Sequence, residues 1–280
     1  MNRLYRLIAK VPNYVRAFGF WRGLQLLFSS ESRLLRKHDS LLECRLPGYP
    51  NSVFLRNTVS DHAIFWQCLV TQQYRLEKFS QSARVFESYR SKLANNQRPV
   101  ILDCGGNIGL SSLYLANMFP EATIVVVEPD KENFSLLEKN LAGLGGAVLP
   151  VWGAVWSEGG YVNIKNPQAG SSAFQVGKGE VQVENTVPAY TVEDLCRRAG
   201  VDSPFIIKID IEGAQGELFS RNCEWVEDCH LIMIELDDWV LPWQGTSRSF
   251  FSCVSQYPFD YILSGETLFC FHDKNIQGAA

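Results

Sequence analysis

The chain has 280 residues, enough for one large domain or for a domain with an appendage, and enough to bury a core without disulfide or metal staples. It is 46% apolar and 20% charged, with 12 Pro and 21 Gly, which excludes disordered, collagen-like and low-complexity proteins. A net charge of −4 argues against a binder of phosphate backbones, so no nucleic-acid partner is expected.

The charge is uneven. Residues 1–37 hold eight Lys and Arg against the single acid Glu31, a net of +7 that leaves −11 for the rest. Leu4, Leu7, Ile8 and Val11 fall at helical spacing, as do Tyr14, Val15, Phe18 and Trp21. Pro12 is expected to break the two runs. A basic amphipathic arm of this kind either packs on the protein's own body or makes peripheral contact with an anionic membrane. It offers no continuous apolar stretch of the secretory-signal type, and no run reaches the roughly 18 residues of a membrane span. Eight cysteines lie scattered without a C-x-x-C pair, so a reduced, cytoplasmic protein is expected, with membrane association if the arm serves that role. Cys223, Cys229 and His230 lack paired zinc spacing, and no metal is assigned.

Residues 41–57 read as a short extended pair around a Pro-Gly turn. Residues 60–79 read as a helix capped by Ser60 or Asp61, and 80–94 as another. The polar stretch 95–99 divides an N-terminal basic arm and capping segment, 1–94, from a main domain, 95–280. From there short apolar runs alternate with amphipathic helices. Strands are expected at Val100–Asp103, Ala122–Val127 and Ala147–Val151, with helices at 109–118 and 131–142. Tyr161–Ile164 and Val181–Val187 read as an inserted hairpin around a Gly/Ser-rich segment. Thr191 caps a helix to about Ala199. Further strands are expected at Phe205–Asp210 and Leu231–Leu236, then a helix at 247–256. A terminal hairpin, Phe259–Leu263 and Thr267–Phe271, closes the chain. Strand–helix alternation marks an α/β fold with a parallel sheet covered on both faces.

The first of these strands runs into Asp103-Cys104-Gly105-Gly106-Asn107-Ile108-Gly109. Gly105 and Gly109 remove side chains where a ligand approaches backbone at a helix start. The spacing is not G-x-G-x-x-G, which disfavours a dinucleotide pyrophosphate. It suits S-adenosylmethionine (SAM), whose ammonium group wants a carboxylate such as Asp103. Glu128 ends the second strand, where an acid accepts both hydroxyls of a ribose diol. Asp210 and Glu212 end the fourth strand and Glu235 the fifth, and they would gather on the same ligand-bearing edge. Clustered acids are costly unless used or paired. They are candidates for a general base, metal ligands or acceptors of a substrate hydroxyl. The alternative is that Lys208 neutralises Asp210 and the other acids are solvated or cap a helix at 213–220.

These segments, D-x-G-x-N-x-G, E-P-D at 128–130, K-I-D-I-E-G-A at 208–214 and I-E-L at 234–236, resemble the FkbM family of SAM-dependent methyltransferases. The resemblance runs from about residue 52 to 273 and includes L-R-N-T-V-S-D at 55–61 and Tyr74. It implies a class I SAM-methyltransferase (Rossmann-like) fold: a seven-stranded sheet of order 3-2-1-4-5-7-6 with the last strand antiparallel. Here that sheet would carry a helical N-terminal extension and a β-hairpin insertion. It implies O-methylation of a sugar, glycan or secondary-metabolite hydroxyl. By match, Asp103, Gly105, Asn107 and Gly109 would line the methionine end of SAM, Glu128 would hold ribose, and Asp61 and Tyr74 would close over the cofactor. Two residues depart from the family pattern: Gln215 stands where Glu is usual, and Asp237 where a His often follows the fifth-strand Glu. These departures lend weight to one rival reading, a catalytically silent SAM-fold scaffold; the other rival, a nucleotide-dependent oxidoreductase on a Rossmann sheet, is opposed by the missing G-x-G-x-x-G.

Three further features bear on the cleft. His62 is a candidate base near a lid, or a structural His. Gly170-Ser171-Ser172 resembles a family cleft element and is also ordinary loop chemistry. Trp152, Trp156 and Trp243 are candidates for stacking on adenine or sugar, or for core packing.

Overall fold

The computed structural model describes residues 3–31, 41–164, 176–177, 186–239 and 242–274. Helices α1 (Arg3–Phe18) and α2 (Phe20–Glu31) open the chain. Pro12 does not separate two helices, as the sequence suggested; it lies inside α1. Its ring sits on the exposed side, where the Ile8 carbonyl deprived of a donor is on the solvent side of the helix. The break comes at Gly19, whose φ of 78° is left-handed.

Strands β1 (Leu41–Arg45) and β2 (Ser52–Arg56) form the expected antiparallel pair. Helix α3 (Val59–Phe65) is much shorter than the sequence reading of 60–79. Its N-cap is Thr58, whose hydroxyl accepts from the Asp61 amide at 3.1 Å. After a π-helical turn over Trp66–Val70, the chain leaves helical geometry at Gln72, with φ of 55°. Helix α4 (Ser82–Ala94) follows.

The main layer alternates as expected. Its elements are β3 (Val100–Cys104), α5 (Leu110–Met118), β4 (Thr123–Glu128), α6 (Lys131–Leu141) and β5 (Val148–Trp152). A small second sheet then interrupts it, built from β6 (Ala154–Val155), β7 (Gly160–Ile164), β8 (Val176–Gly177) and β9 (Thr186–Tyr190). Within it β7 pairs antiparallel with β9, bringing Val162 opposite Val187. Most of the expected Val181–Val187 strand, and Gly170-Ser171-Ser172, lie outside the described residues. Helix α7 (Val192–Arg198) carries a full capping box between Thr191 and Asp194. The chain ends with β10 (Ile206–Ile209), α8 (Gln215–Leu218), β11 (Leu231–Glu235), α9 (Thr246–Val254), β12 (Phe259–Ser264) and β13 (Thr267–His272).

Seven strands form one sheet in the order β12-β13-β11-β10-β3-β4-β5. Counted along that sheet's own strands from β3, the order is 3-2-1-4-5-7-6, with β13 antiparallel to both neighbours. This is the class I SAM-methyltransferase sheet that the resemblance implied.

Alternating side chains of the strands feed two cores. Ile101, Ile124, Val126, Ile206 and Met233 pack beneath the N-terminal helices and α5–α6, in one cluster with Tyr14, Leu26, Leu55 and Phe65. Leu102, Val125, Val127, Ile207 and Ile232 face the other way, against Leu195, Leu218 and Phe250. Residues on both sides of position 95 thus share one core. Each fully buried Ile, Leu or Val contributes about 1.5–3 kcal/mol, and this burial holds the strand ends in place.

Candidate active site

The parallel strands β3, β4, β10 and β11 deliver their carboxyl ends to one edge, where ligands of open α/β sheets bind. A cleft lies there. Gly105, Asn107, Val127 and Glu128 line one side; Gly153, Ala154 and Val155 form a small apolar wall; Asp210, Glu212 and Glu235 line the rest. Ala63, Ile64 and Gln67, from α3 and the π turn, also reach it, as does the 80% exposed Trp239.

The turn after β3 is shaped by close backbone approach. Gly105 has φ of 84°, and a Cβ there would stand 1.8 Å from the Asp210 carbonyl oxygen. Asn107 takes φ of 48°, a conformation that Asn tolerates better than most residues. Its amide donates to Glu128 Oε2 at 2.8 Å. The Asp130 amide donates to Glu128 Oε1 at 3.0 Å. Glu128 is thus fixed at the end of β4 while still lining the cleft. Burial pushes its pKa up to about 7 against the pull of those two amides.

A polar chain supports it from behind. Asp61 is fully buried and grips Arg56, accepting from its backbone amide at 2.7 Å and from its guanidinium at 2.8 Å. The same guanidinium reaches Asn133 Oδ1 at 2.5 Å, and Asn133 Nδ2 lies 3.5 Å from Glu128 Oε1. Asp61 therefore acts on Glu128 through Arg56 and Asn133, and does not itself line the cleft.

Asp103 is also turned away from the cleft. It is fully buried, accepting from Ser111 and Ser112 hydroxyls at 2.6 Å each, with Lys208 Nζ at 3.2 Å. Lys208 comes from the adjacent strand, in register with Asp103. Its ammonium also donates to the Gly105 carbonyl at 2.7 Å and lies 3.6 Å from Asp210. Burial opposes its charge, but Asp103, Asp210 and Glu235 outweigh that and hold its pKa above the ordinary lysine value. Gly109 has φ of 86°, and a Cβ would meet Leu141 and Leu137 at 3.1–3.2 Å. Its lack of a side chain serves helix packing.

The acids at the ends of β10 and β11 do converge. Burial, then Asp210, raises Glu212 to about 8 and Glu235 to about 7. Glu235 is held by Gln73 Nε2 at 2.5 Å. Glu212 sits at φ of 46°, an uncommon conformation that clusters at functional sites. Asp237, also raised by burial, accepts from the Gly213 amide at 2.5 Å and fixes that turn. Gln215 donates to the Glu235 carbonyl at 3.0 Å, and its own buried Oε1 has no hydrogen-bond partner among the described residues. Among the described residues no group of three or more His, Cys, Asp or Glu is arranged to hold a metal ion.

Other sequence candidates fall outside the cleft lining. His62 is buried on α3, and Tyr74 is buried close enough to Cys68 and Glu235 for their charge to raise its pKa further, after burial. Trp152 donates to the Pro129 carbonyl, Trp156 is buried, and Trp243 is fully exposed. Sequence reasoning missed Gln67, Gly153 and Trp239. Only Gly153, with φ of 151°, left a readable signal: a glycine directly after a strand.

The raised carboxyls set a pH dependence. A carboxyl whose folded pKa is raised stabilises the fold fully below about 4.5, and this contribution is lost as pH rises through the folded value. For Glu128, Glu235 and Glu212 those values are about 7, 7 and 8. His230, held near 4 by burial, stays neutral in this range. Thermal melting of the ligand-free protein should therefore fall between about pH 6.5 and 8.5, by roughly 2 kcal/mol or 4–8 °C. Glu212→Gln should flatten the slope. A flat or rising profile in the parent protein would contradict these raised values.

Residues 103–244, about half of the chain, match the model of the methyltransferase FkbM domain. A curated relative, the hexuronic acid methyltransferase AglP of Haloferax volcanii, is 22% identical over 144 residues, which are 51% of this chain and 58% of that protein. Methyltransferase sdnD of Sordaria araneosa is 39% identical over 59 residues, 21% of this chain and 23% of that protein. The chain thus spans little more than half of the first relative and about a quarter of the second. Among solved structures, the fibrillarin of Aeropyrum pernix with bound S-adenosyl-L-methionine aligns at a TM-score of 0.37 and 12% identity, over 62% of this chain and 66% of that one. The METTL16 methyltransferase domain aligns at 0.40 and 8% identity, over 96% and 90%. Likeness that weak carries no argument, and the sheet order above establishes the fold. With that sheet, the motif turn at its centre and the domain match across it, the chain belongs to the FkbM family of SAM-dependent methyltransferases.

Proposed function

We propose that this chain transfers a methyl group from SAM to a hydroxyl of a sugar, glycan or other small metabolite. The observation that carries the reading is Glu235. It is a carboxyl on the cleft wall, anchored by Gln73 and raised to about 7. A general base works best with a pKa near the working pH. The name of the Haloferax volcanii relative, a hexuronic acid methyltransferase, supports a sugar acceptor.

The cleft suits the cofactor. SAM when bound supplies a methyl group on a positively charged sulfonium. Glu128 would accept its ribose diol, Val127, Ala154 and Val155 would pack its apolar portion, and Gly105 and Asn107 would bring backbone close. Asp210 lines the cleft with 27% of its side chain exposed, and sets a negative charge toward a cationic ligand. Glu235 would take the proton of the substrate hydroxyl. Holding acceptor and cofactor in line supplies about 7–11 kcal/mol of the barrier reduction.

Titration calorimetry tests the cofactor half. Glu128→Ala removes a charged acceptor worth about 1.5–3 kcal/mol per hydrogen bond, so SAM should bind about tenfold more weakly or worse. Turnover of labelled SAM over a panel of sugars and hydroxyl metabolites tests the rest. Binding of NADH with SAM ignored would point to an oxidoreductase. SAM binding with no turnover on any acceptor would favour the silent scaffold, to which Gln215 and Asp237 lend weight.

A further inference from the structure

Helices α1 and α2 bury one apolar stripe and expose another. Tyr14, Phe18, Leu26 and Leu27 face the core. Tyr5, Ile8, Phe20, Trp21 and Phe28 are between 57% and 80% exposed. The exposed positions include 5, 8, 9, 12 and 16 on α1, and 20, 21, 22, 25 and 28 on α2, so 5, 8, 12 and 16 and then 21, 25 and 28 recur at helical spacing. Packing on the protein's own body accounts for the inner stripe, and among the described residues the outer one stays exposed. Exposed apolar side chains gathered on one helical pair, with the Phe20 and Trp21 rings 5.0 Å apart, mark an interaction surface.

Its charge selects the partner. Arg16 and Arg22 are exposed within this face, and residues 1–37 carry +7 while the rest of the chain carries −11. Two copies meeting through this patch would oppose two cationic arms. An anionic lipid surface meets both demands, since it takes aromatic side chains at headgroup depth and attracts basic segments. Among the described residues no helix is long and apolar enough to cross a membrane, as suits helices lying in the interface plane. We infer that the outer face of the α1–α2 hairpin docks on anionic membranes, with Trp21 and Phe28 entering the interface and Arg16 and Arg22 engaging the headgroups.

The placement bears on the cleft. The inner side of α1 meets α3 and the π turn, with Tyr14 against Phe65 and Trp66 at ring distances of 6.5 and 5.9 Å and Lys10 over Trp66 at 4.9 Å. Ala63, Ile64 and Gln67 of that same segment line the cleft. One helical layer therefore separates the docked face from the cleft.

Vesicle sedimentation with the full chain tests this. The protein should sediment with phosphatidylcholine vesicles carrying about 30% phosphatidylserine, far less with phosphatidylcholine alone, and dissociate in about 0.5 M NaCl. Trp21→Ser with Phe28→Ser, and separately Arg16→Glu with Arg22→Glu, should each weaken binding at least about tenfold. These side chains are exposed, so melting temperatures should stay at the parent value. The inference is overturned if the parent protein ignores anionic vesicles, or if both double variants bind like the parent. It is equally overturned if ultracentrifugation shows a dimer that the apolar double variant abolishes, since the patch would then serve self-association.

Discussion

Glu235→Gln is expected to lower kcat by about 10²–10⁴-fold while SAM affinity changes only a few-fold. The substitution keeps the shape of the side chain and its reach to Gln73 Nε2, which now lies at 2.5 Å. It removes the group that can take a proton. A folding defect is not expected, because the parent carboxyl is raised to about 7 by burial and by Asp210, so its ionised form strains the fold. A neutral isostere relieves that strain, and melting near pH 8 should be equal or higher. The pH profile separates a base from a positioning group: the acid limb of kcat, set near 7 in the parent, should disappear in the variant. Asp210→Asn should behave differently. Asp210 lies beside Lys208 and faces the cleft, so its loss should appear mainly as weaker SAM binding. If Glu235→Gln turns over normally, Glu212, raised to about 8 on the same wall, becomes the remaining carboxyl for the role.

Much of this arrangement was legible in the chain itself. Apolar runs of four to six residues alternating with amphipathic helices specify a parallel sheet, and all seven of its strands lie where the periodicity put them, within a residue or two. The motif turn was readable because glycine has few reasons to follow a buried strand directly. Glu128 was readable because position at a strand end fixes its direction. What could not be read were side-chain partners supplied by remote strands. Asp103 looks like a cofactor carboxylate until β10 sets Lys208 beside it. Asp61 looks like a lid residue until the fold turns it onto Arg56. Gly109 looks like a ligand contact until α6 brings Leu137 and Leu141 against it. Local pattern encodes direction along an element, whereas these contacts depend on which elements become neighbours. Helix α3 fails for another reason. The apolar spacing past Phe65 continues, but the ladder widens to a π turn and Gln72 goes left-handed, and neither leaves a mark in the spacing.

Lys208→Met should be the most destabilising of the substitutions considered. Lys208 is 2% exposed, and its ammonium lies 3.2 Å from a fully buried Asp103 and 3.6 Å from Asp210 and donates to the Gly105 carbonyl. Methionine fills much of the same space, so packing changes little. What changes is charge: the fully buried Asp103 loses its counter-cation and keeps, among the described residues, the Ser111 and Ser112 hydroxyls. Breaking a buried pair by removing one partner costs about 3–5 kcal/mol, because the remaining charge is uncompensated. For a chain of this size that is a fall in melting temperature of roughly 6–20 °C. The double variant Asp103→Asn with Lys208→Met removes both charges and should recover a large part of the loss, since a buried pair as a whole is worth far less than either half stranded. The cycle also separates structure from site. Asp103→Asn alone leaves Lys208 facing Asp210, so the cleft edge keeps its cation. Lys208→Met alone removes the cation that offsets the cluster of Asp210, Glu212 and Glu235, and should push the kcat acid limb to higher pH. If Lys208→Met melts within about 1 kcal/mol of the parent, the buried pair does not anchor β3 to β10, and the neutralising role assigned to Lys208 is lost with it.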